Sequence, residues 1–137
     1  ERVLKLTPEE RWRGRFEEIN EFESRLTDER TVIMKFFLHI SKEEQRRRLQ
    51  ARVDTPRKRW KFDPGDIEQR KLWDSYQLAF QDMVDRCNTE IAPWHVVPAD
   101  HKWYRDIVIA GALVERLRGL GLAYPDPHGG ELPLIVE

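Results

Sequence analysis

Hydrophobic positions change their spacing along this chain, and the changes predict where its helices and strands lie. Within residues 6–30 they recur every three to four residues, which predicts an amphipathic helix; these positions are Trp12, Phe16, Ile19, Phe22 and Leu26. Thr7, Pro8 and Glu10 predict the helix start, as the cap, a first-turn proline and the capping-box partner. Residues 31–40 are almost continuously apolar, which predicts a strand covered on both faces, as in parallel α/β sheets.

A second capping box predicts the next helix. Ser41 stands at the cap position and Glu44 follows three residues later, so that each can satisfy a backbone N–H of the first turn. The helix is expected to run to about Val53, because the residue before Pro56 is biased away from helical backbone. Residues 57–61 are expected to form a loop.

Three further elements complete the predicted order. Asp63 as cap and Pro64 in the first turn start a third helix, which is expected to run to about Asn88. Residues 94–97 are predicted to form a second short buried strand, ended by a proline. The last helix is predicted to end at the glycines 119 and 121, where glycine permits the backbone to leave the helix.

The order helix, strand, helix, helix, strand, helix predicts an α/β fold. Two strands buried on both faces do not make a stable sheet by themselves. The chain also opens on Glu1, without a start signal for its first element. We therefore expect it to be the C-terminal part of a larger α/β domain, or to complete its sheet with another chain, with residues 121–137 as a loop-like tail.

Composition narrows the class of protein. The 137 residues carry 24 Lys or Arg against 25 Asp or Glu, with a pI near 6.5, which argues against a general nucleic-acid coat. No apolar run approaches the length of a membrane helix. Cys87 is the single cysteine, which suits a reducing compartment. We expect a cytoplasmic location, no membrane partner and a packed cysteine on a helix.

The positive charge is nevertheless concentrated in one stretch. Residues 42–61 contain nine Lys or Arg and only three Asp or Glu. Helical spacing places four polar side chains of this stretch on one face; they are Ser41, Gln45, Arg48 and Arg52. The predicted loop adds basic residues around Trp60, and such a cluster suits a polyanion, since guanidinium groups bind phosphate oxygens bidentately.

Two other interpretations of the stretch stay open. The charges can form a solvated face, although no acids at i,i+4 balance the excess and the run follows a buried strand, where α/β folds place ligands. Trp60 can also stack on a base of RNA. Residues 98–106 follow the second strand, and Asp100, Lys102 and Arg105 are expected near the same sheet edge, with Asp100 either capping the last helix or serving the site.

Familiar motifs for metals and phosphates are absent from the sequence. The four histidines lack metal-ligand spacing, and no GxxxxGK phosphate loop occurs. We expect His39 and His95 to pack at strand ends. If the chain serves a phosphate enzyme, its phosphate loop is expected upstream of Glu1.

Four segments resemble the C-terminal half of the type-2 polyphosphate kinase family: "EINEFESRL", "KFFLHISKEEQRRRLQARVDTPRKRWKF", "LWDSYQLAFQDM" and "APWHVVPADHKWYRDIVIA". The resemblance covers residues 1 to about 120. It implies part of a P-loop kinase-like α/β/α sandwich with a helical lid at about 41–65. It also implies transfer of phosphoryl groups between inorganic polyphosphate and nucleoside mono- or diphosphates, with Mg²⁺.

The resemblance also implies site residues. Arg48 and Arg52 match lid arginines that bind phosphate and are expected to be catalytic. The resemblance also implies residues that bind polyphosphate or nucleotide. Two are lysines of the lid, two lie in the loop after the last strand and one opens the chain; they are Lys58, Lys61, Asp100, Lys102 and Glu1. His95 stands where an aromatic such as Tyr is expected.

The family's Walker A and Walker B segments have no counterpart in this sequence, so the metal ligands are expected elsewhere and the chain alone is expected to be inactive. The implied partners are inorganic polyphosphate and AMP, ADP or GDP, without nucleic acid, in a homo-oligomer. The competing hypothesis is a non-catalytic polyanion- or RNA-binding module. The sequence does not indicate whether mono- or diphosphates are preferred, whether adenine or guanine is preferred, or in which direction the reaction runs.

Overall fold

The computed structural model describes residues 2–125. Its elements follow the predicted order, with one helix more than the simplest interpretation of the pattern; they are α1 (Glu9–Asp28), β1 (Lys35–His39), α2 (Lys42–Asp54), a 3-10 helix (Pro56–Lys61), α3 (Gly65–Lys71), α4 (Trp73–Arg86), β2 (Trp94–Pro98) and α5 (Lys102–Gly119). Two strands and five α-helices in the described residues confirm the predicted partial α/β fold.

The two strands pair in parallel, as predicted, in a register that runs from Lys35 opposite Trp94 to His39 opposite Pro98. Phe37 packs against Phe80 of α4, with ring centroids 5.0 Å apart. Phe36 stacks on His95 at 5.1 Å, and His95 lines a cavity together with residues of α5. Because neighbouring strand residues point to opposite faces, α4 and α5 cover opposite faces of the sheet.

The predicted strand of residues 31–40 is wrong in length and in cover. β1 spans Lys35–His39 only, because its partner β2 has five residues to pair with it. Leu38 is 44% exposed and Val96 is 55% exposed. Within the described residues, the helices therefore cover the sheet only in part, in contrast to the predicted burial of both faces.

Two predicted helix boundaries need correction. Thr7 does not cap α1; Pro8 occupies that position, and its carbonyl accepts bonds from the N–H groups of Arg11 and Trp12, both at 3.2 Å. The predicted third helix is two helices, because the backbone at Leu72 leaves helical geometry (ψ 18°). Local spacing cannot show this break, since the apolar residues continue across it at helical intervals.

The predicted loop of residues 57–61 is also wrong, since these residues form a 3-10 helix. Pro56 stands in its first turn, where the fixed φ of proline suits a helix start. The Lys58 and Phe62 N–H groups donate to carbonyls three residues earlier, at 2.8 and 3.0 Å. Pro64, and not the predicted Asp63, occupies the cap position of α3, although Asp63 Oδ1 accepts a bond from the Gly65 N–H at 2.8 Å.

A buried ion pair joins α1 to the sheet. The Lys35 Nζ lies 2.7 Å from Glu23 Oε2, and the two side chains are 9% and 11% exposed. The same ammonium donates to the carbonyl of Cys87, at 2.5 Å, and lies 5.1 Å from the centre of the Trp94 ring. One cation therefore ties α1, both strands and the end of α4 together.

Cys87 is buried and free, as predicted, but it follows α4 rather than lying within it. Burial raises the pKa of its thiol. None of the helices in residues 2–125 is both long enough and apolar enough to span a bilayer.

Candidate functional site

The start of α2 is held by two side chains from different parts of the chain. The Ser41 hydroxyl accepts a bond from the Glu44 N–H at 3.1 Å, as the capping box predicts. The Ser41 N–H, however, donates to Asp100 Oδ1 at 2.7 Å. The backbone N–H and the hydroxyl of Ser41 lower the pKa of Asp100. Asp100 therefore holds the cap residue of α2 and does not cap α5, which begins without a side-chain cap.

Arg48, which lies one turn after Glu44 on α2, reaches the loop that contains Asp100. Its Nη2 donates to the carbonyl of Ala99 at 2.6 Å, and a longer contact of 3.4 Å joins it to the Asp100 carbonyl. Ala99 in turn donates its N–H to the His39 carbonyl at 2.8 Å. The structure thus brings two predicted site residues, Arg48 and Asp100, together at the carboxyl ends of both strands.

Glu44 and Glu43 balance three arginines of α2, which corrects the expectation that the positive excess lacks acids at helical spacing. Glu44 binds Arg47 at 2.6 Å and Arg48 at 2.7 Å, while Glu43 binds Arg46 at 2.6 Å. The bonds from Arg47 and then Arg48 lower the pKa of Glu44 from its ordinary value of 4.5 to about 2. The acids precede the arginines by three or four residues, the favourable orientation on a helix.

The depressed pKa of Glu44 predicts a defined pH dependence. A carboxyl whose pKa is lower in the folded than in the unfolded state stabilises the fold above its unfolded pKa, and this stabilisation is lost as the pH falls toward the folded pKa. We expect Glu44→Gln to lower the free energy of unfolding at neutral pH, and the deficit to shrink between pH 4.5 and pH about 2.

Urea unfolding of both proteins across this pH range measures the effect. Glu17→Gln, a change at an exposed acid of α1, is the control and should show no comparable trend. A Glu44→Gln deficit that stays constant down to the lowest pH would contradict the assignment.

Arg52 turns to a different neighbour. Its Nη1 lies 3.2 Å from Asp66 Oδ2 of α3 and 3.4 Å from the carbonyl of Lys61. It also lines a cleft of about 420 Å³ between α2, α3, α4 and the end of β1. Arg48 and Arg52 share a helical stripe in the sequence, but the structure directs one to the loop after β2 and the other into this cleft.

Sequence reasoning missed Arg70. Its Nη1 donates to the carbonyl of Lys42 and to Gln45 Oε1, both at 2.7 Å, and its side chain lines the same cleft as Arg52. The available signal was its spacing from Trp73 and Gln77, which also line the cleft and stand three and seven residues later on the chain.

The side chains of Lys58, Lys61 and Lys102 take no part in these contacts. The Lys61 Nζ lies 5.0 Å from the centre of the Trp60 ring, and Trp60 is 79% exposed. Lys58 is exposed on the 3-10 helix, and Lys102 is exposed as the first residue of α5. Glu1 lies outside the described residues.

The histidines and acids of the described part of the chain do not form a metal centre. No group of three or more His, Cys, Asp or Glu within residues 2–125 could hold a metal ion. His95 stacks on Phe36 as a strand packing residue, as predicted. His39 is exposed, and its Nε2 lies 3.2 Å from Gln77 Oε1.

The chain is similar to known proteins over most of its length. The profile of the polyphosphate kinase 2 family matches residues 1–120. An AMP/ADP-polyphosphate phosphotransferase of Meiothermus ruber is 50% identical over 136 residues, which are 99% of this chain and 51% of the relative. An ADP-polyphosphate phosphotransferase of Rhodopseudomonas palustris is 39% identical over 115 residues, 84% of this chain and 40% of the relative.

A solved structure shows the same fold. The crystal structure of polyphosphate kinase 2 from Arthrobacter aurescens TC1 superposes with a TM-score of 0.84 at 46% identity, covering 88% of this chain and 43% of that one. This likeness confirms the predicted partial kinase-like α/β fold. The chain spans about half the length of the curated relatives it matches. Its match over residues 1–120 shows that the chain belongs to the polyphosphate kinase 2 family.

Proposed function

We propose that this chain is the lid-bearing part of an enzyme that transfers phosphoryl groups between inorganic polyphosphate and nucleoside mono- or diphosphates. The observation that carries the proposal is the arginine-lined cleft at the carboxyl end of β1, beneath α2, in a member of the polyphosphate kinase 2 family. The names of the relatives, which act on AMP or ADP and polyphosphate, support these substrates. GDP is a further candidate acceptor.

Phosphoryl transfer depends on positioning and charge neutralisation more than on covalent chemistry by the protein. An oxygen of the acceptor phosphate attacks the terminal phosphorus of the donor chain, and the bond from that phosphorus to the bridging oxygen breaks. Arg48 and Arg52 are proposed to neutralise charge on the transferred group. Residues 41–65 are proposed to act as a lid that closes over the substrates and excludes water.

The two arginines start from different positions in this mechanism. Arg52 already lines the cleft and is bound to Asp66 by a single 3.2 Å contact. Arg48 is held by Glu44 and by the Ala99 carbonyl, so contact with phosphate requires exchange of at least one of these partners. Asp100 supports α2 through the Ser41 N–H, which favours a positioning role within the binding site.

Other groups are proposed to extend the binding surface. Lys58 and Lys61 on the 3-10 helix and Lys102 at the start of α5 are exposed and offer mobile charges to a phosphate chain. Glu1 is proposed as a further substrate-binding residue. Mg²⁺ is proposed to bind the substrate phosphates, but the acids of residues 2–125 do not form a metal site.

Exposed apolar side chains support two further parts of the proposal. Phe22, Leu78 and Ile107 are each at least 60% exposed. Exposed large apolar side chains of this kind are typical of a surface that another part of a protein covers. We propose that the remainder of a single polyphosphate kinase domain covers part of this surface and that a second copy covers another part. The location is proposed to be the cytoplasm.

A chimera tests the activity. This chain replaces the matching 136 residues of the Meiothermus ruber relative, and polyphosphate-dependent phosphorylation of AMP and ADP is measured. We expect transfer in the chimera and none in the chain alone or in the relative with that segment deleted. A chimera that folds but transfers no phosphate from polyphosphate would contradict the proposal.

A non-catalytic RNA- or polyanion-binding module is the second candidate. Trp60 is 79% exposed on a 3-10 helix of six residues that contains four basic neighbours, an arrangement that suits base stacking. Binding of single-stranded RNA that is lost in Trp60→Ala, together with an inactive chimera, would favour this candidate.

A further inference from the structure

Arg70 differs from the other arginines of the site in the partners that it binds. Both of its hydrogen-bond acceptors, the Lys42 carbonyl and Gln45 Oε1, are neutral. Among the described contacts, no carboxylate is bonded to this guanidinium. Glu43 interacts with it through space, but the Glu43 oxygens are bonded to Arg46. A half-buried cation with neutral partners favours an anion that can approach it.

The cleft that Arg70 lines is positively charged overall. It contains the guanidinium groups of Arg52 and Arg70, and Asp66 is its one acidic lining residue. The pair between Arg52 and Asp66 is 3.2 Å long, and its side chains are 40% and 35% exposed. Such a pair is weak, so a multiply charged ligand can replace Asp66 at Arg52.

The other walls of the cleft are aromatic or amide-bearing. The rings of Tyr76 and Phe80 stack with centroids 6.0 Å apart and planes inclined by 30°. Trp73 and Gln77 also line the cleft. A volume of about 420 Å³ lies within the usual range for small-molecule sites. Two guanidinium groups facing one cleft match the several oxygens of a phosphate group.

We infer that Arg70 and Arg52 form a phosphate-binding subsite in this cleft, with Asp66 as the internal competitor of the ligand. The inference rests on the proposed function for the source of the phosphate, which can be a polyphosphate chain or a nucleotide. The aromatic wall offers a stacking surface that a nucleotide base uses and a bare phosphate chain does not.

Calorimetric titration of the 137-residue chain with tripolyphosphate and, separately, with ADP tests the subsite. Arg70→Gln is expected to weaken binding by about ten-fold or more, the size of a lost charge-assisted hydrogen bond. Asp66→Asn is expected to strengthen binding by about three-fold or more, because it frees Arg52. Arg25→Gln, the same change at a 78% exposed arginine of α1, is the matched control.

Opposite effects of the two cleft variants separate ligand binding from folding. Arg70→Lys keeps the charge and should recover part of the affinity, while circular dichroism shows whether each variant is folded. If Tyr76→Ala weakens the binding of ADP more than that of tripolyphosphate, the ligand is the nucleotide. If the substitution changes both affinities equally, the ligand is the phosphate chain.

Three outcomes would overturn the subsite: no binding of either compound to the wild-type chain, wild-type affinity in folded Arg70→Gln, or weaker binding in Asp66→Asn. If the chimera described above is nevertheless active, the proposed function stands without the subsite. If binding depends on Arg70 but the chimera is inactive, the subsite stands without the proposed function.

Discussion

Replacing Lys35 by methionine is expected to destabilise this chain by about 3–5 kcal/mol, the usual cost of removing one partner from a buried ion pair. Glu23 would keep its charge at 11% exposure without its partner at 2.7 Å. The Cys87 carbonyl would also lose the donor at 2.5 Å. Because the ammonium joins α1, the sheet and the end of α4, the loss should affect the cooperative unfolding of the described fold.

Urea unfolding followed by circular dichroism measures this loss. Lys71→Met is the matched control, since Lys71 pairs with Glu68 at the same 2.7 Å, but with side chains 66% and 69% exposed. Its cost should stay below about 1 kcal/mol. The double variant Glu23→Gln, Lys35→Met should recover part of the stability, because it leaves no buried charge. Equal effects of Lys35→Met and Lys71→Met would refute the assignment.

Arg52→Ala and Arg48→Ala are each expected to lower the turnover of the active chimera by about ten-fold or more, as for loss of a charge contact in phosphoryl transfer. For Arg52 the reason is its place in the cleft. For Arg48 a structural cost adds to the effect, because its bond to the Ala99 carbonyl joins α2 to the loop after β2.

Steady-state kinetics with polyphosphate separate these two contributions. Arg46→Ala serves as the control, because Arg46 is 59% exposed on the same helix and is bound to Glu43; its turnover should remain close to that of the parent chimera. Loss of kcat with an unchanged melting temperature indicates a role in transfer, whereas a lowered melting temperature indicates support of the lid. Near-normal turnover in both Arg48→Ala and Arg52→Ala would contradict their catalytic assignment.

Local sequence patterns were reliable where a few neighbouring residues determine the outcome. Ser41 caps α2 as its capping box predicts, because the Glu44 N–H that it satisfies lies three residues away. Continuously apolar runs predict a parallel pair of strands, and this pair is present, although β1 is shorter than expected. Prediction failed at Thr7 and Leu72, where more than one local solution fits the same residues.

Contacts between distant residues were beyond the reach of spacing. Asp100 accepts the N–H of Ser41, which stands 59 residues earlier in the chain, so this contact depends on the parallel pairing that brings the two strand ends together. Arg70 reaches Lys42 and Gln45 across 28 and 25 residues, because α3 folds back against α2. Spacing within one helix contains no information about either meeting.

The sequence by itself determined the order of elements, the start of α2, the concentration of basic residues and the resemblance to the polyphosphate kinase 2 family. Each depends on the chemistry of residues close together in the chain. Only the tertiary structure decided which cations face the cleft and which acid supports the start of α2. Electrostatic interactions fall off with distance and with exposure to water, so these roles follow from where the folded chain places each charge.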